Sequence, residues 1–216
     1  MPINKEKNLL FVHIPKTGGS TLERLVKEQT NTGWEYWGEL KNLPAHHEII
    51  NKYGYIIPNL DNTDGSNQKF LQHLTLEHFY GILPEEEFSN YKKVSVIRNP
   101  WDRLVSFYEY NLQTRGRMGT KGKSFKEWFY SRKISPTLLP YLTVKGEVPS
   151  SLELIRFDDY KNSLRDLFHN LSIDYDDKVN EKKTIRQHYR NYYTSRMVDE
   201  LARECEKDIS KFNFNF

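Results

Sequence analysis

The chain has one cysteine, Cys205, so no intrachain disulfide can form and a cysteine-rich zinc site is excluded. It has no apolar run approaching membrane-spanning length, and its opening Met1-Pro2-Ile3-Asn4-Lys5-Glu6-Lys7-Asn8 lacks the apolar stretch of a secretory signal. No strong excess of one charge is present either. A formal net charge of +3 over 216 residues does not suggest bulk nucleic-acid binding. Internal repeats and low-complexity tracts are also missing. What is there suits a folded globule: 37% hydrophobic and 14% aromatic residues can supply a core. The length suits one domain over residues 1–216.

The informative stretch is His13-Ile14-Pro15-Lys16-Thr17-Gly18-Gly19-Ser20-Thr21. It follows the apolar run Leu9-Leu10-Phe11-Val12 and precedes Leu22, Leu25 and Val26 at helical spacing. A strand, a short glycine-bearing loop and a helix start form an anion-binding arrangement, because first-turn amides and the helix dipole both favour negative charge. Lys16 adds a full positive charge, and Gly18 and Gly19 allow close backbone approach. The stretch fails as a Walker A loop, which needs its lysine after the glycines. Alone, it also reads as a turn that needs glycine only for geometry.

Taken in order, the pattern predicts a strand over Asn8–His13 and a helix from Gly19 to Gln29. Trp34 to Gln68 reads as irregular structure with a short strand at Tyr53–Ile57, and the adjacent His46 and His47 do not suggest a shared metal site. Thr75 is placed to cap a short helix with His78 near its third position, leaving His73 just before it. Lys92–Arg98 reads as a second buried strand, broken by Asn99-Pro100, and proline suits the first position of the helix that follows. On that helix Trp101, Leu104, Val105, Tyr108 and Leu112 form one stripe, with Arg103, Ser106 and Tyr110 opposite. In an open parallel sheet the ligand crevice lies outside the carboxyl ends of the strands. Lys16 and Arg98 both follow such ends, and they share a cleft if the two strands are neighbours.

Gln113 to Lys133 is strongly basic, with Glu127 its single acid, and reads either as a solvated linker or as a mobile lid for an anionic acceptor. Phe125, Trp128 and Phe129 start a helix within it. Ser151–Phe157 supplies another strand and Lys161–Leu171 a helix, with an acidic loop over Asp174–Asn180. Lys182, Lys183, Arg186, Arg190 and Arg196, interleaved with His188, Tyr189, Tyr192 and Tyr193, suit a phosphate beside a purine ring or an ordinary amphipathic surface. Met197, Leu201, Cys205, Ile209 and Phe212 mark one final helix whose stripe is core.

Two segments together resemble a known family. Ile14-Pro15-Lys16-Thr17-Gly18-Gly19-Ser20-Thr21 is similar to the 5′-phosphosulfate loop of sulfotransferases that use 3′-phosphoadenosine 5′-phosphosulfate (PAPS). Val96-Ile97-Arg98-Asn99-Pro100-Trp101-Asp102-Arg103-Leu104-Val105-Ser106-Phe107-Tyr108 is similar to the family's 3′-phosphate segment. Asp208-Ile209-Ser210-Lys211-Phe212-Asn213-Phe214 resembles the tail of the carbohydrate-sulfotransferase branch. The resemblance implies an α/β fold, P-loop-like and three-layered (α/β/α), with a short, mostly parallel central sheet. It implies that Lys16 contacts the 5′-phosphosulfate, that Thr17, Gly18, Gly19, Ser20 and Thr21 cradle it, and that Arg98 and Ser106 bind the 3′-phosphate. It also implies a histidine base upstream of the second motif. His73 matches that place, with His78 and Glu77 as the alternatives.

The implied reaction is in-line transfer of the sulfuryl group of PAPS to an acceptor hydroxyl, most readily on a carbohydrate, giving 3′,5′-adenosine bisphosphate without a metal. Two other readings stay open: a non-catalytic module for nucleotide or anionic glycan, and a P-loop kinase. A nucleic-acid partner and a membrane segment are not expected. The default compartment is the cytoplasm, the alternative a lumenal Golgi-type catalytic domain trimmed of its anchor.

Overall fold

The computed structural model describes residues 3–34, 73–114, 119–175 and 185–216. The expected strand at Tyr53–Ile57, the pair His46–His47, and Lys182 and Lys183 lie outside them, as do parts of the basic stretch and of the acidic loop. Among the described residues the elements run β1 (Ile3–Asn4), β2 (Leu9–Val12), α1 (Gly19–Glu28), α2 (Leu76–Ile82), α3 (Glu85–Asn90), β3 (Lys92–Ile97), α4 (Pro100–Gln113), α5 (Phe125–Ser131), α6 (Leu139–Leu142), β4 (Leu152–Arg156), α7 (Tyr160–Asn170), α8 (Ser195–Glu204) and α9 (Glu206–Phe212). They fall into two compact units, Met1–Ile97 with Pro140–Glu181 and Arg98–Leu139 with Lys182–Phe216.

The first unit holds a four-stranded sheet in the order β1-β2-β3-β4. β2, β3 and β4 are parallel, and β1 runs antiparallel on β2. Leu9, Phe11, Val94, Val96 and Ile155 pack with Leu22, Leu25 and Val26 of α1 and Leu164, Leu167 and Phe168 of α7. Leu10, Val12, Ser95 and Ile97, which alternate with them, are buried too. Burial on both faces is why these strands read as nearly continuous apolar runs. The α/β class, three-layered with a short, mostly parallel sheet, is as the resemblance implied.

Strand ends differ from expectation by a residue, for local reasons. Asn8 has φ 50° and cannot extend β2 backwards. His13 leaves the strand to pair with Glu23. β1 was not expected; two residues are too short to show a period.

The second unit starts where Asn99 caps α4, its side-chain oxygen accepting from the amides of Trp101 and Asp102, with Pro100 at the favoured first position. Trp101, Leu104, Val105 and Tyr108 form a core with Phe125, Trp128, Phe129, Met197, Leu201 and Cys205. Three expectations need correction. Leu112 is 40% exposed, because the stripe outruns the core before the helix ends. Arg103 and Ser106, expected to stand away from the core, are buried; Arg103 donates to the Thr137 carbonyl at 3.2 Å. The single final helix is two helices, α8 and α9, meeting at Cys205. In α9 the inward place belongs to Asp208 as well as Phe212, and Ile209 is only half-buried. The Asp208 carboxylate is fixed by the amides of Leu138 and Leu139.

No helix among the described residues is long and apolar enough to cross a membrane.

Candidate active site

In the first unit, residues 13–18 turn the chain from β2 into α1 under tight geometric control. Lys16 takes φ 66° and Gly18 φ 101°. Gly18 is the N-cap of α1 and offers no side-chain cap, so the first-turn amides receive none from it. No acid stands in that first turn. A Cβ on Gly18 would meet the Phe157 ring at 2.9 Å, and one on Gly19 would lie 2.6 Å from His13 Cδ2 and 2.8 Å from Phe11 Cζ. The glycine pair is therefore required twice over, for a left-handed backbone and for two close approaches.

The loop is braced by hydrogen bonds of its own. The fully buried Thr17 hydroxyl donates to Ile14 O at 2.8 Å, so this threonine offers its amide rather than its hydroxyl proton. Tyr160 donates its hydroxyl to Gly18 O at 2.7 Å, and burial raises its pKa well above the usual value. His13 Nδ1 lies 2.8 Å from Glu23 Oε1, both groups buried, which ties the end of β2 to the second turn of α1.

His73 reaches the same loop. Its Nδ1 lies 2.8 Å from the backbone oxygen of His13, and the two rings meet edge-on at 4.8 Å. A carbonyl oxygen can only accept, so Nδ1 carries the proton. In the neutral ring Nε2 then holds the lone pair. His78 is arranged differently. Thr75 caps the helix, as the spacing predicted, and His78 completes a capping box, its Nδ1 accepting from the Thr75 amide at 2.9 Å. Burial lowers its pKa to about 4, against the raising effect of Glu77. Glu77 itself accepts from the Lys145 amide at 2.6 Å.

β2 and β3 are adjacent and parallel, with Val12 opposite Ser95. Arg98 directly follows β3 and belongs to the second unit. There it is buried, with Nε donating to Asp102 Oδ2 at 2.6 Å. Arg186 donates from Nη2 to the other oxygen of Asp102. Burial lowers the Arg98 pKa, opposed by Asp102. Burial alone would raise the Asp102 pKa, but the two guanidinium groups hold it below the ordinary carboxylate value. Ser106 lies one turn beyond Asp102 on α4 and is buried.

The sequence reading missed several of these contributors. Asp102 carried a readable signal, since it stands in the first turn of the helix that Asn99-Pro100 starts, just after Arg98. His13, Glu23 and Tyr160 carried none, because their partners lie across a turn or far along the chain. In the basic-aromatic segment, Tyr189, Tyr192 and Tyr193 pack on the second unit's core, which is the ordinary amphipathic reading. Among its described members, Arg186 bonds Asp102, the partner of the candidate phosphate residue Arg98.

The first unit thus combines a mostly parallel sheet, a glycine-bearing strand-to-helix loop and a histidine bonded to that loop. The sulfotransferase family's profile matches residues 1–215, and the chain belongs to that family. It is a PAPS-dependent sulfotransferase that catalyses sulfuryl transfer. No curated protein matches the chain.

Proposed function

We propose that residues 1–216 act as one catalytic domain that moves the sulfuryl group of PAPS to a carbohydrate hydroxyl, with His73 as general base. The observation that carries the base assignment is the 2.8 Å contact between His73 Nδ1 and His13 O. It leaves Nε2 as the basic nitrogen on a ring fixed to the anion loop, whereas His78 spends its Nδ1 on capping and Glu77 accepts from a backbone amide.

PAPS supplies an activated sulfuryl group whose leaving side is a phosphate oxygen. His73 Nε2 takes the acceptor's hydroxyl proton as the new O–S bond forms and the bond to the phosphate oxygen breaks. Lys16 and the amides of 17–21 stabilise the charge that builds on the departing bisphosphate. Arg98 and Ser106 take the 3′-phosphate, where the planar guanidinium offers a fixed fork of donors. Positioning and electrostatics dominate such a loose transfer, much as in phosphoryl transfer. The carbohydrate acceptor rests on the basic, aromatic-bearing stretch Gln113–Lys133 and on the likeness of Asp208–Phe214 to the carbohydrate branch.

The test is a labelled-sulfate screen over glycans and small alcohols, read by mass. Transfer from PAPS to a glycan supports the reading. A preference for ATP over PAPS, or bisphosphate binding with no transfer to any acceptor, overturns it.

A further inference from the structure

Asp102 is the third residue of α4, where an acid has an ordinary use: it suits the helix dipole and can close back on the N-cap amide. Here both carboxylate oxygens go elsewhere, Oδ2 to Arg98 Nε and Oδ1 to Arg186 Nη2, from a residue 84 positions further along the chain. The three side chains are 9%, 15% and 14% exposed, so water screens them little. One carboxylate between two guanidinium groups leaves a net positive cluster. A purely structural pair would need one arginine. The second is held against the repulsion of the first, and Asp102 is what offsets that repulsion.

We propose that Asp102 is a positioning residue that holds Arg98 and Arg186 as a two-guanidinium clamp for the 3′-phosphate, with Arg186 a second ligand of that phosphate. The inference rests on the PAPS reading above. Ser106 fits it, because a hydroxyl four residues after Asp102 projects from the same side of α4. Holding both forks before the anion arrives reduces the ordering needed on binding.

The sign of one effect separates positioning from bulk charge. Removing a negative charge near a phosphate site should tighten anion binding by simple Coulomb attraction. Loss of the clamp should weaken it. We expect Asp102→Asn to raise the Kd of 3′,5′-adenosine bisphosphate about tenfold while the Kd of 5′-AMP, which lacks the 3′-phosphate, stays unchanged. Asp102→Glu should recover part of the loss, and Arg186→Gln should reproduce it. Titration calorimetry reads both nucleotides, and Arg186→Gln serves if Asp102→Asn does not fold. A parent protein that prefers the bisphosphate, with variants that keep the full preference, overturns this inference alone; so does an equal loss for both nucleotides. A parent with no preference between them overturns the PAPS reading and the clamp together.

Discussion

His73 donates its Nδ1 proton to the backbone oxygen of His13 at 2.8 Å, and His13 is held by Glu23 of α1. The ring that would take the acceptor's proton thus hangs from the first residue of the anion loop, with its tautomer set by a group that can only accept. Replacing His73 with Ala should lower kcat by about 10²–10⁴, the usual worth of a positioned general base. Bisphosphate affinity should stay near that of the parent. Labelled-sulfate transfer and calorimetry on the same sample check both halves, and transfer at the parent rate would remove His73 from the mechanism.

Gly18 and Gly19 make separable predictions. Gly19→Ala places a methyl 2.6 Å from the His13 ring, which cannot retreat without loosening its bond to Glu23. Gly18→Ala adds strain at φ 101° and a contact with Phe157. Each should cost about 1–3 kcal/mol, the range for overpacking a filled interior. Urea unfolding gives both values. In Gly19→Ala the displaced His13 should also disturb His73, so transfer should fall further than stability accounts for. Parent-like kcat in a destabilised Gly19→Ala would break the proposed link between loop and base.

How much of this was legible beforehand follows from the range of the interactions. Strand and helix periods depend on neighbours two to four residues apart, so β2, β3, β4, α4 and α7 could be read within a residue or two. The Thr75–His78 capping box is equally local. The turn from β2 into α1 was readable because its glycines act through backbone geometry over a few residues. What could not be read was supplied at long range: Tyr160 on Gly18, Arg186 on Asp102, Asp208 on the amides of Leu138 and Leu139. The burial of Arg103 and Ser106 belongs with these. A helix wheel shows which residues share a face, but not how many faces the fold covers.

Cys205 belongs to the core and should behave as such. It is 1% exposed at the junction of α8 and α9, and burial pushes its thiol up to about 12. Since the thiolate is the reactive form, alkylation by iodoacetamide at pH 8 should be slow in the native protein and rapid in denaturant. Intact mass after timed labelling reads this directly. Fast native labelling would mean that the α8–α9 junction opens on the labelling timescale.

His78 gives the fold a defined sensitivity to acid. Burial lowers its folded pKa to about 4, below the unfolded value of 6.5. As pH falls, the unfolded chain takes up this proton first, so acid favours unfolding. The stability from keeping His78 neutral is complete above about pH 6.5 and is lost between there and about pH 4; the loss reaches about 2 kcal/mol by pH 5 at about 1.36 kcal/mol per pH unit. His78→Asn keeps a side-chain acceptor for the Thr75 amide but does not titrate. Urea unfolding from pH 7 to 5, mostly above the carboxylate range, should show parent stability falling more steeply than that of the variant. Equal slopes would mean that His78 protonates in the folded protein as readily as in the unfolded chain, and that its capping bond to Thr75 is not maintained in solution.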